Sequence, residues 1–398
     1  MTIHFDTRDP LLARVLGRTH SLFADDMAAN AARLASAIAG RRLLVVGAAG
    51  SIGAAFVKEV AARTPATLHL VDIDENGLVE LVRDLRSDPR PLPSDFRTII
   101  ADFSGTEFAR FAADHAPYDV FANFSALKHV RAERDVYSLL RMVDINVVAL
   151  DRCLARAHGF TRVFSVSTDK SVRPTSLMGA TKNLMEKALF SRPGAFTATS
   201  ARFANVAFSA GSLLEGFENR LAKGQPLSAP NDVRRYFISH EEAAQLCLLA
   251  CFLGRDREIF FPKLTAADHL VGFPDIASLL LAERGLKALP CASEEEARLL
   301  APPLGRWPCY FSPSITSGEK PEEEFFRRDD VLDLESFRAA GVVREGVAPR
   351  QTIDSFLAAI QAIRAGSVWR KENVVAAICA TVPELDHIER GRDLDQKM

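Results

Sequence analysis

Three side chains able to exchange protons stand in a row at Thr168, Asp169 and Lys170, directly after the apolar run Val163-Phe164-Ser165-Val166. The run reads as a buried parallel strand, so the polar cluster falls at a strand's carboxyl end, where ligands sit in open α/β sheets. Twelve residues past Lys170, Lys182 follows Met178 at i, i+4 spacing, which puts both on one helix face. An acid, a hydroxyl and two amines facing one crevice suit chemistry in which protons leave and return to a bound substrate.

Such a cluster needs a scaffold, and the upstream chain supplies one. Arg42 to Val46 is a short strand leading into Gly47-Ala48-Ala49-Gly50-Ser51-Ile52-Gly53 and then a helical Ala54 to Ala62. Gly47, Ala49, Gly50, Ser51, Ile52 and Gly53 form a phosphate-binding turn: glycines permit close backbone approach, and the helix N-terminus offers free N–H groups to a pyrophosphate. The next strand, Leu68 to Val71, ends in Asp72, nineteen positions past Gly53, the spacing of an acid that bonds the adenosine ribose. Asp72 and Asp74 favour NAD as cofactor over NADP, whose 2′-phosphate would meet like charge. NADP stays possible if Arg83 or Arg86 folds back. Arg97 to Ala101 ends in Asp102-Phe103, an adenine contact. Val120 to Phe124 ends in Ser125-Ala126-Leu127-Lys128-His129, where Ser125 and Ala126 face the cofactor and Lys128 and His129 the substrate. Asn146 lies in a helix from Tyr137 to Ala157. After the cluster come a strand from Ala198 to Phe203, Asn205, a helix from Ser212, and Arg234-Arg235 before a capping box at Ser239 and Glu242.

Alternating strands and helices predict an α/β fold: a Rossmann-like doubly wound parallel sheet with a smaller mixed α/β substrate-binding lobe. The expected division is a helical N-terminal extension over 1–40, a NAD(P)-binding Rossmann domain over 41–205, a substrate-binding lobe over 206–345 with a returning strand near 258–261, and a helical C-terminal extension over 346–398. A net charge of −2 argues against nucleic-acid binding. The chain has neither an apolar stretch of membrane-spanning length nor the basic and apolar regions of a signal peptide, so a cytoplasmic location with no membrane partner is expected. Six scattered cysteines show no metal-ligand pattern; Cys247 and Cys251 share a helical face but suit the core of an apolar helix.

With these blocks on the page, the chain resembles the extended short-chain dehydrogenases/reductases, and within them the nucleotide-sugar 4,6-dehydratases of polysaccharide biosynthesis that act on UDP-N-acetylglucosamine. The likeness covers roughly 41–330. It is carried by the glycine turn, Ala126-Leu127-Lys128-His129-Val130, Ser167-Thr168-Asp169-Lys170, Met178-Gly179-Ala180-Thr181-Lys182, Arg202-Phe203-Ala204-Asn205-Val206, Arg235-Tyr236-Phe237 and Gly318-Glu319-Lys320. Met178 stands where most of the superfamily has a tyrosine; a branch of the dehydratases is similar in this. Arginines common in relatives are absent at Ala210 and before Gly318, with Arg173, Arg234 and Arg235 the candidates to replace them at a diphosphate.

The resemblance implies hydride transfer from C4 of the sugar to NAD, loss of water across C5–C6 and return of hydride to C6. It gives Lys170 the C5 proton, Asp169 the leaving hydroxyl, Thr168 a hydrogen bond to O4 and Lys182 the nicotinamide ribose. The base for O4 stays open among Lys170, Asp169 and a water held by Thr168. It further implies Phe203 at the cofactor and Lys128, His129, Asn146, Arg173, Asn205, Ser212, Arg235 and Glu319 at the nucleotide sugar. A homo-oligomer is expected, built on the helix pair Tyr137–Ala157 and Thr181–Phe190. Rival readings are a NAD-dependent 4-epimerase and a non-catalytic dinucleotide-binding regulator.

Overall fold

Crossovers between parallel strands need helices on both faces of a sheet, so the central strands lose all contact with water. The computed structural model describes residues 9–156, 158–264, 270–300, 304–314 and 323–387, and shows this arrangement. Seven strands run parallel: β1 (Arg42–Val46), β2 (Thr67–Asp72), β3 (Asp95–Ile100), β4 (Val120–Asn123), β5 (Arg162–Val166), β6 (Thr197–Ala201) and β7 (Glu258–Pro262). Their order is β3-β2-β1-β4-β5-β6-β7, so the direction of winding reverses between β1 and β4. That reversal opens a crevice at the strands' carboxyl ends. β1 and β5 are buried almost throughout, whereas β3, at the edge, is half-buried to exposed along its length.

The boundary expected at 206 is less simple than a lobe following a domain. The His240–Leu253 helix packs on the glycine-turn helix Ser51–Ala61, against one sheet face. Two further strands, β8 (Val331–Asp333) and β9 (Ala340–Arg344), return to the main sheet, with β9 antiparallel to β7 and β8 outside it. The lobe proper is a three-stranded parallel sheet (Lys287–Pro290, Arg306–Ser312, Leu227–Pro230) with helices Leu213–Ala222, Phe273–Glu283 and Glu294–Leu299.

The N-terminal helices join the two parts. Leu11, Leu12, Val15 and Leu16 enter the lobe core beside Phe217, Leu227 and Leu280, while Leu34 and Ile38 enter the core under the main sheet. Between them Arg18 forks onto Glu242, at 2.7 and 2.6 Å. The capping box expected at Ser239 and Glu242 is present, so Glu242 serves both the cap and Arg18.

The helix expected from Tyr137 to Ala157 is instead Val136–Val143, a π-helical turn Asp144–Val148 and Ala149–Leu154. Its outward apolar face, with that of Leu177–Phe190, is the surface assigned above to a second subunit. Here the chain's own C-terminal helices, Arg350–Ala365 and Lys371–Thr381, lie on it. Leu139, Val143, Val147, Leu177, Leu184 and Ala188 pack with Ile353, Phe356, Ile360, Val374 and Ile378 in one buried cluster. The apolar residues in that cluster are therefore buried within the chain itself. Phe356 is 1% exposed, and Phe356→Ala should cost about 3–5 kcal/mol in denaturant unfolding, the usual price of an aromatic core deletion. A loss under about 1 kcal/mol would show that the C-terminal helices only rest on this face.

Candidate active site

The crevice, about 400 Å³, is lined by Gly47, Gly50, Ser51, Ile52 and Gly53 on one side and by Thr168, Lys170, Met178 and Lys182 on another. Lys128, His129, Phe203, Asn205, Ala210 and Ser212 close the lobe side. A separate shallow hollow around Lys58, Asp84 and Arg90 contains none of these residues.

The glycine turn has the shape its sequence predicts. Gly47 adopts φ +70°, and a Cβ there would stand 2.4 Å from the Ser125 backbone nitrogen; at Gly53 it would stand 2.1 Å from the Gly47 oxygen. The Ser51–Ala61 helix begins at Gly50 with no side-chain cap, which leaves its first N–H groups facing the crevice. Asp72 accepts the Ala49 amide at 2.8 Å and fixes the turn to the end of β2. Asp74, expected at the cofactor, caps the Glu75–Ser87 helix by accepting from Gly77.

At the end of β5 the chain makes a 3₁₀ turn, Asp169–Ser171. Asp169, 3% exposed, accepts from Thr168 Oγ1 at 2.7 Å and from Lys170 Nζ at 3.2 and 3.4 Å. This turn lies so close to the Leu177–Phe190 helix that a Cβ on Gly179 would stand 2.3 Å from the Lys170 carbonyl oxygen. The helix start is held by Ser176, which accepts from Gly179, and by the buried Glu133, which accepts the Met178 amide at 2.8 Å. The i, i+4 spacing brings Met178 and Lys182 to the same wall, both 4% exposed. Lys182 Nζ donates to the Val166 carbonyl at 3.0 Å; burial pushes its pKa down to about 8 against the opposing charge of Glu186.

Below this wall lies a buried ion pair. Arg202 donates to both oxygens of Glu186, at 2.9 and 2.6 Å, and Glu186 also accepts from Ser167 and Ser171. Burial alone would raise the Glu186 pKa, but the Arg202 charge and these donors hold it below the ordinary value. Arg202 also donates to the Phe325 carbonyl at 3.0 Å and so anchors the segment after position 322.

A model of the polysaccharide biosynthesis protein family matches residues 43–295, well over half of the chain. The chain belongs to this family. It is 30% identical to an uncharacterised membrane protein of Methanocaldococcus jannaschii over 76% of this chain and 85% of that one. It is 28% identical to the capsular polysaccharide biosynthesis protein CapD of Staphylococcus aureus over 66% of this chain, but spans only 44% of CapD. A UDP-N-acetylglucosamine 4,6-dehydratase (inverting) of Campylobacter jejuni is 26% identical over 56% of this chain and 67% of its own length. Among solved structures, Pen from Bacillus thuringiensis superimposes with a TM-score of 0.62 at 20% identity, over 78% of this chain and 90% of Pen. Among the described residues no helix is long and apolar enough to cross a membrane, and no cluster of metal-ligating side chains occurs.

In this family member the remaining candidate residues divide by what already holds them. A second hollow joins Asp72, Asp102, Phe103, Ser125 and Ala126, the group expected around the adenosine, and adds Arg141. Arg141 pairs with Asp102, and Arg83 pairs with Glu80 outside the hollow. Asn146 sits in the π turn, 1% exposed, and its amide bonds the Leu127 backbone on both sides and Thr181 Oγ1. It positions the Ser125–Lys128 loop and is shut off from the crevice. Ser212 lines the crevice and also caps the Leu213–Ala222 helix. Arg173, at φ +42°, pairs with Glu324, and Arg234 donates to the Leu270 carbonyl. Burial, with the charges of Lys128 and Arg131, lowers the His129 pKa and favours a neutral ring. Glu319 lies outside the described residues.

Sequence reasoning passed over Glu133, Glu186, Arg202 and Glu323. Arg202 stood inside a motif block without a role, and nothing local marks a glutamate in an acidic run as buried.

The lysine at position 182 generates a pH dependence of known sign. Its folded pKa is below the unfolded value, so between about pH 8 and 10.5 the unfolded chain holds a proton that the native chain has released. Native stability should therefore rise with pH across that window, and Lys182→Met should remove that part of the slope. Urea unfolding of both proteins from pH 7 to 10.5 measures it. Identical slopes would mean that the Lys182 amine is not desolvated.

Proposed function

We propose that this protein is a nucleotide-sugar 4,6-dehydratase of polysaccharide biosynthesis, acting on UDP-N-acetylglucosamine or a related nucleoside-diphosphate N-acetylhexosamine with NAD. The observation that carries this reading is the Asp169–Lys170 ion pair at the end of β5, beside Thr168, in a crevice where Met178 holds the usual tyrosine's place. The name of the Campylobacter relative supports it. An elimination needs an acid for the departing hydroxyl and a base for the neighbouring carbon. A bare hydride transfer and return, as in epimerisation, uses neither.

A dinucleotide fits the residues present. The uncapped helix start and the turn at Gly47 and Gly53 would take the pyrophosphate, Asp72 the ribose and the Asp102–Phe103 hollow the adenine. Arg141, the cation lining that hollow among the described residues, is paired with Asp102, and with Asp72 beside it this favours NAD over a 2′-phosphate. Once bound, the nicotinamide supplies an acceptor for hydride from C4 and a donor back to C6. The chain's own residues handle the protons. Lys170 removes the C5 proton, Asp169 gives a proton to the C6 oxygen as it leaves as water, and Thr168 holds O4. Lys182 orients the nicotinamide ribose. Met178 fills the wall without taking part in proton transfer, since a thioether has no proton to exchange.

The test is Asp169→Asn with UDP-N-acetylglucosamine. Wild type should yield a 4-keto-6-deoxy product lighter by one water, read by mass spectrometry. The variant should bind NAD as before and turn over about 10²–10⁴-fold more slowly. A product of unchanged mass from wild type would mean epimerisation. Tight cofactor binding with no turnover of any nucleotide sugar would mean a regulator.

A further inference from the structure

One acidic side chain beside the crevice has no part in the chemistry described so far, yet it holds a residue that lines the wall. Glu323 is half-buried, and both its oxygens are engaged: Oε1 accepts from Asn205 Nδ2 at 2.6 Å and Oε2 from the Tyr236 amide at 3.0 Å. Backbone contacts fix both sides of this arrangement. Asn205–Val206 pairs in parallel with Phe237–Ile238, directly after Tyr236, so the two donors stand side by side. Past Glu323 the chain is pinned where Glu324 pairs with Arg173 and the Phe325 carbonyl accepts from Arg202. Asn205 lines the crevice from the lobe side, and its Oδ1 meets no donor among the described residues.

A side-chain amide has a donor end and an acceptor end, whereas an ionised carboxylate only accepts. Glu323 therefore selects the nitrogen of Asn205 and leaves the oxygen for the crevice. We propose that Glu323 fixes Asn205 as a hydrogen-bond acceptor, and that Asn205 Oδ1 receives the acetamido N–H of the substrate's N-acetylhexosamine. The identity of that donor rests on the substrate proposed above; the orientation of the amide does not. The acetamido N–H is the one group on such a sugar that can only donate, while each hydroxyl can turn from donor to acceptor. An acceptor in this place suits the N-acetyl sugar. A donor there would face the N–H and leave both unpaired, though a hydroxyl would adapt. Glu323 acts through Asn205, so it is a positioning residue.

The bond from Tyr236 makes the polarity testable. In Glu323→Gln the Tyr236 N–H still needs an acceptor, so the glutamine oxygen takes that place and its NH₂ faces Asn205. Asn205 must then give Oδ1 to the glutamine and turn Nδ2 to the crevice. Adding Asn205→Asp restores an acceptor: one carboxylate oxygen takes the glutamine NH₂ and the other faces the crevice. The double variant also keeps the summed charge of the two positions. Burial and the charge of Asp169 push the Glu323 pKa up to about 7, so the assays belong above that pH, with the wild-type carboxyl ionised.

The experiment uses the full chain loaded with NAD, with affinities from calorimetry and turnover from mass spectrometry. Glu323→Gln should bind UDP-N-acetylglucosamine about 10–100-fold more weakly than wild type, the usual effect of an unpaired donor. KM should rise by the same factor while kcat stays within about 3-fold, since a ground-state contact is lost. UDP and UDP-glucose should each change by less than about 3-fold, because neither carries the acetamide. The double variant should return all three affinities to near the wild-type values. Should the single variant not fold, that match in the double variant still decides the matter. Equal weakening of all three ligands, an unchanged affinity for UDP-N-acetylglucosamine in Glu323→Gln, or no recovery in the double variant overturns the proposal. Failure of wild type to bind UDP-N-acetylglucosamine overturns it together with the substrate reading. Binding without loss of water overturns the dehydratase reading alone, and the affinity pattern then decides the orientation of Asn205.

Discussion

The crevice depends on one buried ion pair, Arg202 with Glu186. Neither charge tolerates burial alone, and removing one partner of such a pair typically costs about 3–5 kcal/mol. The pair draws five pieces of chain together. Glu186 comes from the helix that carries Met178 and Lys182, and its oxygens take the hydroxyls of Ser167 and Ser171 on either side of the Thr168–Lys170 turn. Arg202 follows β6 and reaches both the Phe325 carbonyl and, at 3.4 Å, Glu345 after β9. Packing alone would let these pieces slide. The directional bonds of a guanidinium and a carboxylate fix their register, and with it the distance between the lysine wall and the acid turn.

Gly179 completes that constraint. The helix approaches the turn until no side chain fits beneath the Lys170 carbonyl, so backbone meets backbone. A helix–turn contact this close, with a satisfied ion pair below it, makes a rigid wall. The lobe side is tied to the wall by weaker devices. Ser51 accepts the Ala210 amide across from the glycine turn, and Asn205 meets Glu323. At the crevice itself, one half is thus stiffened by an ion pair and a close backbone contact, and the other meets it through single hydrogen bonds.

How much of this was legible in the sequence follows from how local each signal is. The glycine turn, Asp72 and the Ser239–Glu242 cap are set by residues within a few positions of one another or one strand away, and each appears where its pattern placed it. Alternating strands and helices gave the doubly wound sheet for the same reason. Asn146 misled because a polar residue in a helix near a ligand site looks the same in sequence whether it faces the ligand or, as here, a π turn directs its amide to Leu127 and Thr181. Asp74 also caps a helix, a use that an acid after a strand serves equally well. The strands at Val331–Asp333 and Ala340–Arg344 are short and join a sheet built from residues far upstream, and the covering of the Leu177–Phe190 face by Phe356 and Ile378 is likewise a long-range contact. Glu323 lies 154 positions beyond Asp169 in an acidic run. Its partial burial and its bonds to Asn205 and Tyr236 are properties of the fold alone.

The two lysines illustrate how the fold resolves what the motif leaves open. Both flank the crevice, and by residue type either can serve as a base. Lys182 is buried against the Val166 carbonyl on the helix, with a lowered pKa and no phenol beside it, because position 178 is methionine. Its amine has a fixed backbone partner and can act on bound groups only through charge and position. Lys170 is on the turn with about a third of its side chain exposed, and its partner is a carboxylate that changes charge during the proposed reaction. When Asp169 gains a proton in the proposed reaction, the ion pair weakens and the Lys170 amine loses its charged partner. When, in that proposal, Asp169 passes the proton to the leaving hydroxyl, the restored carboxylate again faces the amine proposed to take the C5 proton. In the proposed reaction acid and base would thus be coupled through one contact of 3.2 Å, and a tyrosine at position 178 would add a second proton acceptor that this coupling does not require.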